Sequence, residues 1–416
     1  MSDIWKSWTE VKKICAGKKV VLFGRSDDWV PKTILKLEYV KEKYIVDSNP
    51  AYTGSPLKGL TVYLPDKLHE ENKGDFYIII TAGPYQSVVD QLVEMGFTPG
   101  VDFCCTPEIK DWGLLQEIRE YEQNIIVACS DYSEKGKKRY SSMGGGIYVC
   151  NTLKSDLEKV IPGHFRQLTR VEDKIYVVEF VEKKIYVLSD KLEVLKILDI
   201  ERPGSGEREK PNACGIAYHP GKQWIFVANA GSDTINIYDR KDFNLLHKIH
   251  FSGKFNLIGD GQHHINDICI AEDTLYVSYF SLSGNWKRGI LDGGISEFDV
   301  NNITGGSTPV VSGLWMPHSV EYLEGNLCYV NSMRGELYIG NQKYDGKFPG
   351  LMRGLAFDDR FYYVGQSEDM YMSRLFGVSD NIMVNAGVYL FDVSTKVSRF
   401  YSFPFIMNVH DILILD

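Results

Sequence analysis

The feature that most constrains this chain is a repeat. From about residue 163 onward the same order recurs: an apolar strand, a tight turn, an "(I/L)YV"-type strand, a Gly or Asp turn, an "I-x-(I/V/L)" strand ending in Asp, and a looser fourth strand. The blocks open at "FRQLTRVEDKIYVVEF", "ACGIAYHPGKQWIFVANA", "HINDICIAEDTLYVSYF", "HSVEYLEGNLCYVNS" and "MRGLAFDDRFYYVGQ". With Arg166, Cys214, Asn266, Ser319, Arg353 and His410 as equivalent points, the spacings are 48, 52, 53, 34 and 57 residues. Such periods fit four-stranded propeller blades with loops of unequal length. A sixth blade is split. "NIIVACSDY" (124–132) and "GGIYVCN" (145–151) read as second and third strands with no first strand before them, and "NVHDILILD" (408–416) reads as a first strand with nothing after it. The spacing therefore predicts a six-bladed β-propeller over 119–416, closed by its C-terminal strand so that no sheet edge of a linear array is left open.

The first ~118 residues read differently. "KKVVLFG", "KYIVDSNP" and "DFYIIITAG" are apolar runs ending in turn residues, and helical patterns such as "QSVVDQLVEMGF" lie between them. Fully apolar strands alternating with helices predict a small Rossmann-like α/β domain with a parallel sheet over 1–118. Its first turn reads Gly24-Arg25-Ser26-Asp27-Asp28-Trp29, and Asp47 ends the second strand. Gly24, Arg25, Ser26 and Asp47 are thus the candidate contacts for a nucleotide or nucleotide sugar, with a phosphate at the helix N-terminus and the acid on a ribose. Only the first of the three fingerprint glycines is present.

Charge and composition narrow the partners. A formal net charge of −9 and a pI near 5.6 give no global basic field for nucleic acid or an anionic membrane. No stretch approaches the ~18 apolar residues of a membrane span, and the N-terminus lacks a signal-peptide pattern. The eight cysteines are scattered without a CxxC pair and read as reduced core thiols, the pattern of a cytoplasmic protein.

Position in the repeat predicts position in space, because the innermost strand of each blade lines the channel and its first residues stand at one mouth. His264, His318 and His410 fall at or within about two residues of three such strand starts, Arg166 and Arg353 at two more, and Asn212 near the remaining one. Three converging neutral imidazoles would suit a divalent transition metal, zinc or else iron or manganese. Asp267 and Glu321 follow as orienting acceptors or general bases, with Asp411 beside His410. Arg166 and Arg353 would clamp carboxylate or phosphate oxygens. Trp286, Arg288 and Arg374, on the long connections 281–292 and 367–386, are candidate substrate contacts, as are Lys135, Lys137, Lys138, Arg139 and Tyr140 on 132–144, with Lys287 and Tyr371. His263 adjoins His264, so one of the pair must point away from the axis.

Two resemblances follow from these residues. The run "VVLFG … YIVDSNPAYTGSPLKGLTVYLPDKL … FYIIITAG … LVEMGFTPGVDF" resembles the small Rossmann-like domain that precedes many bacterial sugar-modifying and glycan-assembly enzymes, which implies a nucleotide sugar as ligand. The remainder is similar to six-bladed propellers of the class that includes the amidating lyases, in which channel histidines hold zinc; the resemblance implies that role for His264, His318 and His410. The expected function is a metal-dependent lyase, hydrolase or epimerase acting on an anionic sugar or nucleotide-sugar-derived substrate at the channel mouth. A non-catalytic propeller that scaffolds a glycan pathway or binds a glycan is the alternative. Deleting 408–416 is expected to give insoluble protein, and a soluble, monodisperse truncation on size-exclusion chromatography would contradict ring closure by that strand.

Overall fold

The computed structural model describes residues 4–130, 144–200, 212–254, 261–368 and 384–415, and the chain forms two compact units, Met1–Arg119 and Glu120–Asp416. In the first unit, α1 (Trp8–Ile14) starts from a reciprocal cap in which Ser7 and Glu10 exchange side-chain and backbone hydrogen bonds. There follow β1 (Lys19–Phe23), α2 (Trp29–Lys36), β2 (Lys43–Val46), β3 (Val62–Tyr63), β4 (Phe76–Ile80), α3 (Tyr85–Glu94), β5 (Phe103–Cys105) and α4 (Pro107–Glu120). The sheet has the order β3-β2-β1-β4-β5, and all its strands are parallel. Side chains alternate across it: Val21, Phe23, Ile78 and Ile80 pack with Val88 and Leu92 on one face, and Val20, Leu22 and Ile79 with Val30 and Leu37 on the other. A sheet covered on both faces is why these strands read as unbroken apolar runs. The unit is a small α/β domain.

The second unit is a six-bladed β-propeller of four-stranded antiparallel sheets. It opens with β6 (Asn124–Cys129), β7 (Gly146–Asn151) and β8 (Asp156–Pro162). The next blade holds β9 (Phe165–Val171), β10 (Lys174–Glu179), β11 (Lys184–Leu188) and β12 (Val194–Asp199). After it come β13 (Ala213–His219), β14 (Trp224–Asn229), β15 (Thr234–Asp239) and β16 (Leu245–His250), then β17 (Ile265–Ala271), β18 (Thr274–Tyr279), β19 (Gly293–Asp299) and β20 (Thr308–Leu314). The fifth sheet is β21 (Pro317–Leu323), β22 (Asn326–Asn331), β23 (Glu336–Ile339) and β24 (Gly346–Lys347), and the sixth β25 (Leu351–Phe357), β26 (Tyr362–Ser367), β27 (Gly387–Phe391) and β28 (Ser398–Ser402). Last, β29 (Val409–Leu415) adds as the innermost strand of the opening sheet, in the order β29-β6-β7-β8. Its register runs from Val409 opposite Cys129 to Leu415 opposite Asn124, and Gln123 Nε2 donates to the Leu415 carbonyl at 2.6 Å.

All six innermost strands carry a register irregularity near the start, at Arg166–Gln167, Cys214, Asn266–Asp267, Ser319–Val320, Arg353–Gly354 and His410. A bulge breaks the two-residue alternation and re-aims side chains. Here it sends successive residues to different tasks, one toward the lumen and the next toward the neighbouring blade. Asp411 accepts from Leu168 N at 2.8 Å, Asp267 from Ser319 N at 2.6 Å, and the Ser319 hydroxyl from Gly354 N at 2.6 Å. Gln167 reaches across two blades, accepting from Ile216 N (2.9 Å) and Ile268 N (3.1 Å) and donating to the Ile268 carbonyl (2.8 Å). Gly215 makes that reach possible, because a Cβ there would lie 3.0 Å from Gln167 Oε1 and 2.4 Å from the Asn266 carbonyl oxygen. Replacing Gln167 with Ala leaves three buried backbone groups without partners. Each costs roughly 1 kcal/mol or more, so urea denaturation should show a loss of about 3 kcal/mol; a loss below about 1 kcal/mol would mean that Gln167 does not join the blades.

Candidate functional site

The bulges place the channel residues. Innermost strands contact one another in the cyclic order β9, β13, β17, β21, β25, β29 and back to β9. Their N-terminal ends therefore stand around one mouth, and Arg166, Cys214, His264, His318, Arg353 and His410 come from six different blades. Arg166 Nη1 lies 2.9 Å from Cys214 Sγ, and its guanidinium covers the Phe180 ring at 3.8 Å. Arg353 is only 4% exposed, and its Nη1 is 3.4 Å from His410 Nε2. An aromatic wall completes the circuit: the His264 ring packs 4.6 Å from Trp286 and 4.3 Å from Phe280, which in turn lies 5.1 Å from the ring of His318.

His318 is the most defined member. It is 2% exposed, and its Nδ1 lies 2.8 Å from both the Met316 carbonyl oxygen and the Ser332 hydroxyl. A carbonyl can only accept, so Nδ1 carries the proton and Nε2 presents its lone pair. That Nε2 is buried and has no hydrogen-bond partner among the described residues, and the same holds for Asn212 Oδ1 and Trp286 Nε1. They belong to the set of buried polar atoms that lack a hydrogen-bond partner among the described residues.

Electrostatics sort the groups by charge. Burial, reinforced by Arg166 and Arg353, lowers His264 to about 3. Burial and then Arg353 hold His318 and His410 well below the ordinary imidazole range. All three imidazoles are neutral at pH 7. Burial pushes Asp267 up to about 6 against the opposing pull of the Ser319 N–H and both guanidiniums. Glu321 is partly exposed; burial, then Asp411 and Asp267, raise its pKa, and burial likewise raises that of Asp411. Near pH 7 Asp267, with its pKa at about 6, is mainly ionised and lies in the field of Arg166 and Arg353.

The three-imidazole metal site expected from the repeat does not fit this geometry. Among the described residues no group of three or more His, Cys, Asp or Glu side chains could hold a metal ion. The reasons are visible in the neighbours: His410 faces Arg353, His264 lies against Phe280 and Trp286, and Asp267 and Asp411 accept from backbone N–H groups of adjacent blades. Zinc, iron or manganese would stand beside two guanidiniums.

Other sequence candidates divide clearly. Trp286 joins the wall, whereas Arg288 is exposed. Arg374, Tyr371, Lys135, Lys137, Lys138, Arg139 and Tyr140 lie outside the described residues. Phe180 and Phe280 were not singled out in the sequence, although each directly follows the second strand of its blade, and that repeated position is the signal that could have found them. In the α/β unit, Gly24 has φ +107°, and a Cβ there would meet Ala82 Cβ at 2.5 Å, so only glycine fits. Asp47 accepts from Arg25 N (2.6 Å) and Asn49 N (2.8 Å), and the Ser26 hydroxyl from Asp28 N (3.3 Å) and Trp29 N (3.1 Å). The Arg25 guanidinium lies 4.8 Å over Tyr52. Two of the four nucleotide candidates therefore hold the turn itself, and Ser26 takes the N–H groups that would otherwise face a phosphate.

A family model described as "Domain of unknown function (DUF4915)" matches residues 213–415. No curated protein matches the chain. Among solved structures, a protein of unknown function from Bacteroides caccae is 13% identical, with a TM-score of 0.47 over 71% of this chain and 99% of that one. A chain of a nidogen/laminin complex is 13% identical, with a TM-score of 0.45 over 70% and 98%. The calcium-binding protein regucalcin from Agrobacterium tumefaciens is 12% identical, with a TM-score of 0.37 over 55% and 70%. Likenesses this distant carry no functional argument.

Asp267 gives a stability test. Its folded pKa, about 6, exceeds the ordinary carboxylate value, so the folded state binds the extra proton. The associated stability is full below the unfolded pKa and is lost as pH rises through about 6. Asp267→Asn should gain about 1.5 kcal/mol on the wild type between pH 5 and pH 8 in paired urea titrations. A difference that does not change with pH would show that Asp267 titrates normally.

Proposed function

We propose that the channel mouth binds a small hydroxylated anion, of the class of sugar acids and sugar phosphates, between Arg166 and Arg353. The buried, unpartnered Nε2 of His318 carries this reading. Guanidiniums match carboxylate and phosphate oxygens. His318 Nε2 and Asn212 Oδ1 are acceptors that call for hydroxyl donors on the same molecule, and Trp286 Nε1 is a donor for a ligand oxygen. An acidic ligand matches two guanidiniums better than a neutral amide or an apolar one. The strand order of the N-terminal sheet supports reading that unit as Rossmann-like.

The test is calorimetry of the full chain against uronates, aldonates, sugar phosphates and their neutral parent sugars. Acidic members should bind and the neutral parents should not. Arg353→Met should weaken binding at least about tenfold, the worth of a charged hydrogen bond. Equal binding of neutral and acidic sugars, or an unchanged affinity in both Arg166→Met and Arg353→Met, would overturn the reading.

A further inference from the structure

A second cluster, away from the channel, has the parts of a nucleophile and its base. Ser252 follows β16, His263 precedes β17 and Ser281 follows β18, so three segments meet at the end of the propeller where the innermost strands begin. Ser252 Oγ lies 2.6 Å from His263 Nε2, and His263 Nδ1 lies 2.9 Å from the Ser281 carbonyl oxygen. Because that carbonyl only accepts, Nδ1 holds the ring proton, and Nε2 is the acceptor for the Ser252 O–H. The imidazole is fixed from several sides. Its backbone N–H donates to Asp233 Oδ2 at 2.8 Å, its carbonyl accepts from Phe280 N at 3.0 Å and Ser281 N at 3.2 Å, and its ring packs 5.1 Å from Phe251. His263 is 3% exposed, whereas Ser252 is only half-buried, so the base is sheltered and its serine keeps access to solvent.

We propose that Ser252 is an acyl-accepting nucleophile with His263 as its general base and the Ser281 carbonyl as the orienting group, acting on carboxylic esters. Ser252 Oγ forms a bond to the ester carbonyl carbon while its proton moves to His263 Nε2. The C–O bond to the alcohol then breaks, and the alcohol leaves with that proton. Water, deprotonated by His263, attacks the acyl-serine; the acid is released and Ser252 regains its proton. Gly253, next to the serine, has a backbone N–H with no hydrogen bond to the described residues, and a Cβ there would meet nothing within 4 Å, so a tetrahedral oxyanion has a donor and room beside it. A carbonyl behind Nδ1 supports the imidazolium less than a carboxylate would, which favours esters over amides, whose amine leaves less readily. This site is independent of the channel reading.

The experiment treats the full chain with a fluorophosphonate and maps the adduct by mass spectrometry, alongside hydrolysis of p-nitrophenyl acetate. Ser252 should carry the adduct. Ser252→Ala should lose it and lower ester turnover at least about 100-fold in protein that still unfolds in one cooperative transition. Because His263→Gln removes a buried ring, Ser252→Cys provides the second arm. Its thiol should react with iodoacetamide at least about tenfold faster than any native cysteine of the chain, all of which are buried. Folded protein whose Ser252 stays unmodified, or Ser252→Ala hydrolysing ester at the wild-type rate, would overturn the proposal, as would a Ser252→Cys thiol no faster than the native ones.

Discussion

The propeller depends on side chains of one innermost strand bonding the backbone of the next. Asp411 to Leu168, Gln167 to Ile216 and Ile268, Asp267 to Ser319, and Ser319 to Gly354 run around the axis through the bulges. Apolar contact between sheets is non-directional and by itself would tolerate rotation of one blade against another. Directional bonds to buried N–H groups fix the angular position of each blade, because a slipped blade would strand both partners in a low-dielectric interior.

That belt also sets the chemistry above it. Asp267 and Asp411 each accept from a neighbouring blade's N–H group, and burial raises the pKa of both. The guanidiniums of Arg166 and Arg353 then dominate the local field, and the same field with burial keeps His264, His318 and His410 unprotonated. The adjacent residues His263 and His264 divide between two tasks: His264 faces Phe280 and Trp286, while His263 engages Ser252 and the Ser281 carbonyl.

In the α/β unit, the turn after β1 is stabilised by its own side chains. Thr81 Oγ1 donates to the Gly24 carbonyl at 2.7 Å, and Asp47 and Ser26 each accept two backbone N–H groups. A glycine-rich loop leaves such groups open to a phosphate, whereas this turn closes on itself.

The sequence by itself determined the six blades, the C-terminal closing strand and the parallel α/β unit, because strand periodicity and turn residues are local signals repeated often enough to reinforce one another. It also placed Arg166, Arg353 and the three histidines at one mouth, since equivalent positions in a repeat become neighbours around an axis. Only the tertiary structure decided what those residues do together. The bulges break the alternation that sequence reasoning relies on, so the assignment of Asp267 and Asp411 to neighbouring blades, and of His410 to Arg353, had no local signature. Whether three imidazoles share an ion or stand apart beside two guanidiniums depends on distances between blades, and those are set by packing around the whole ring.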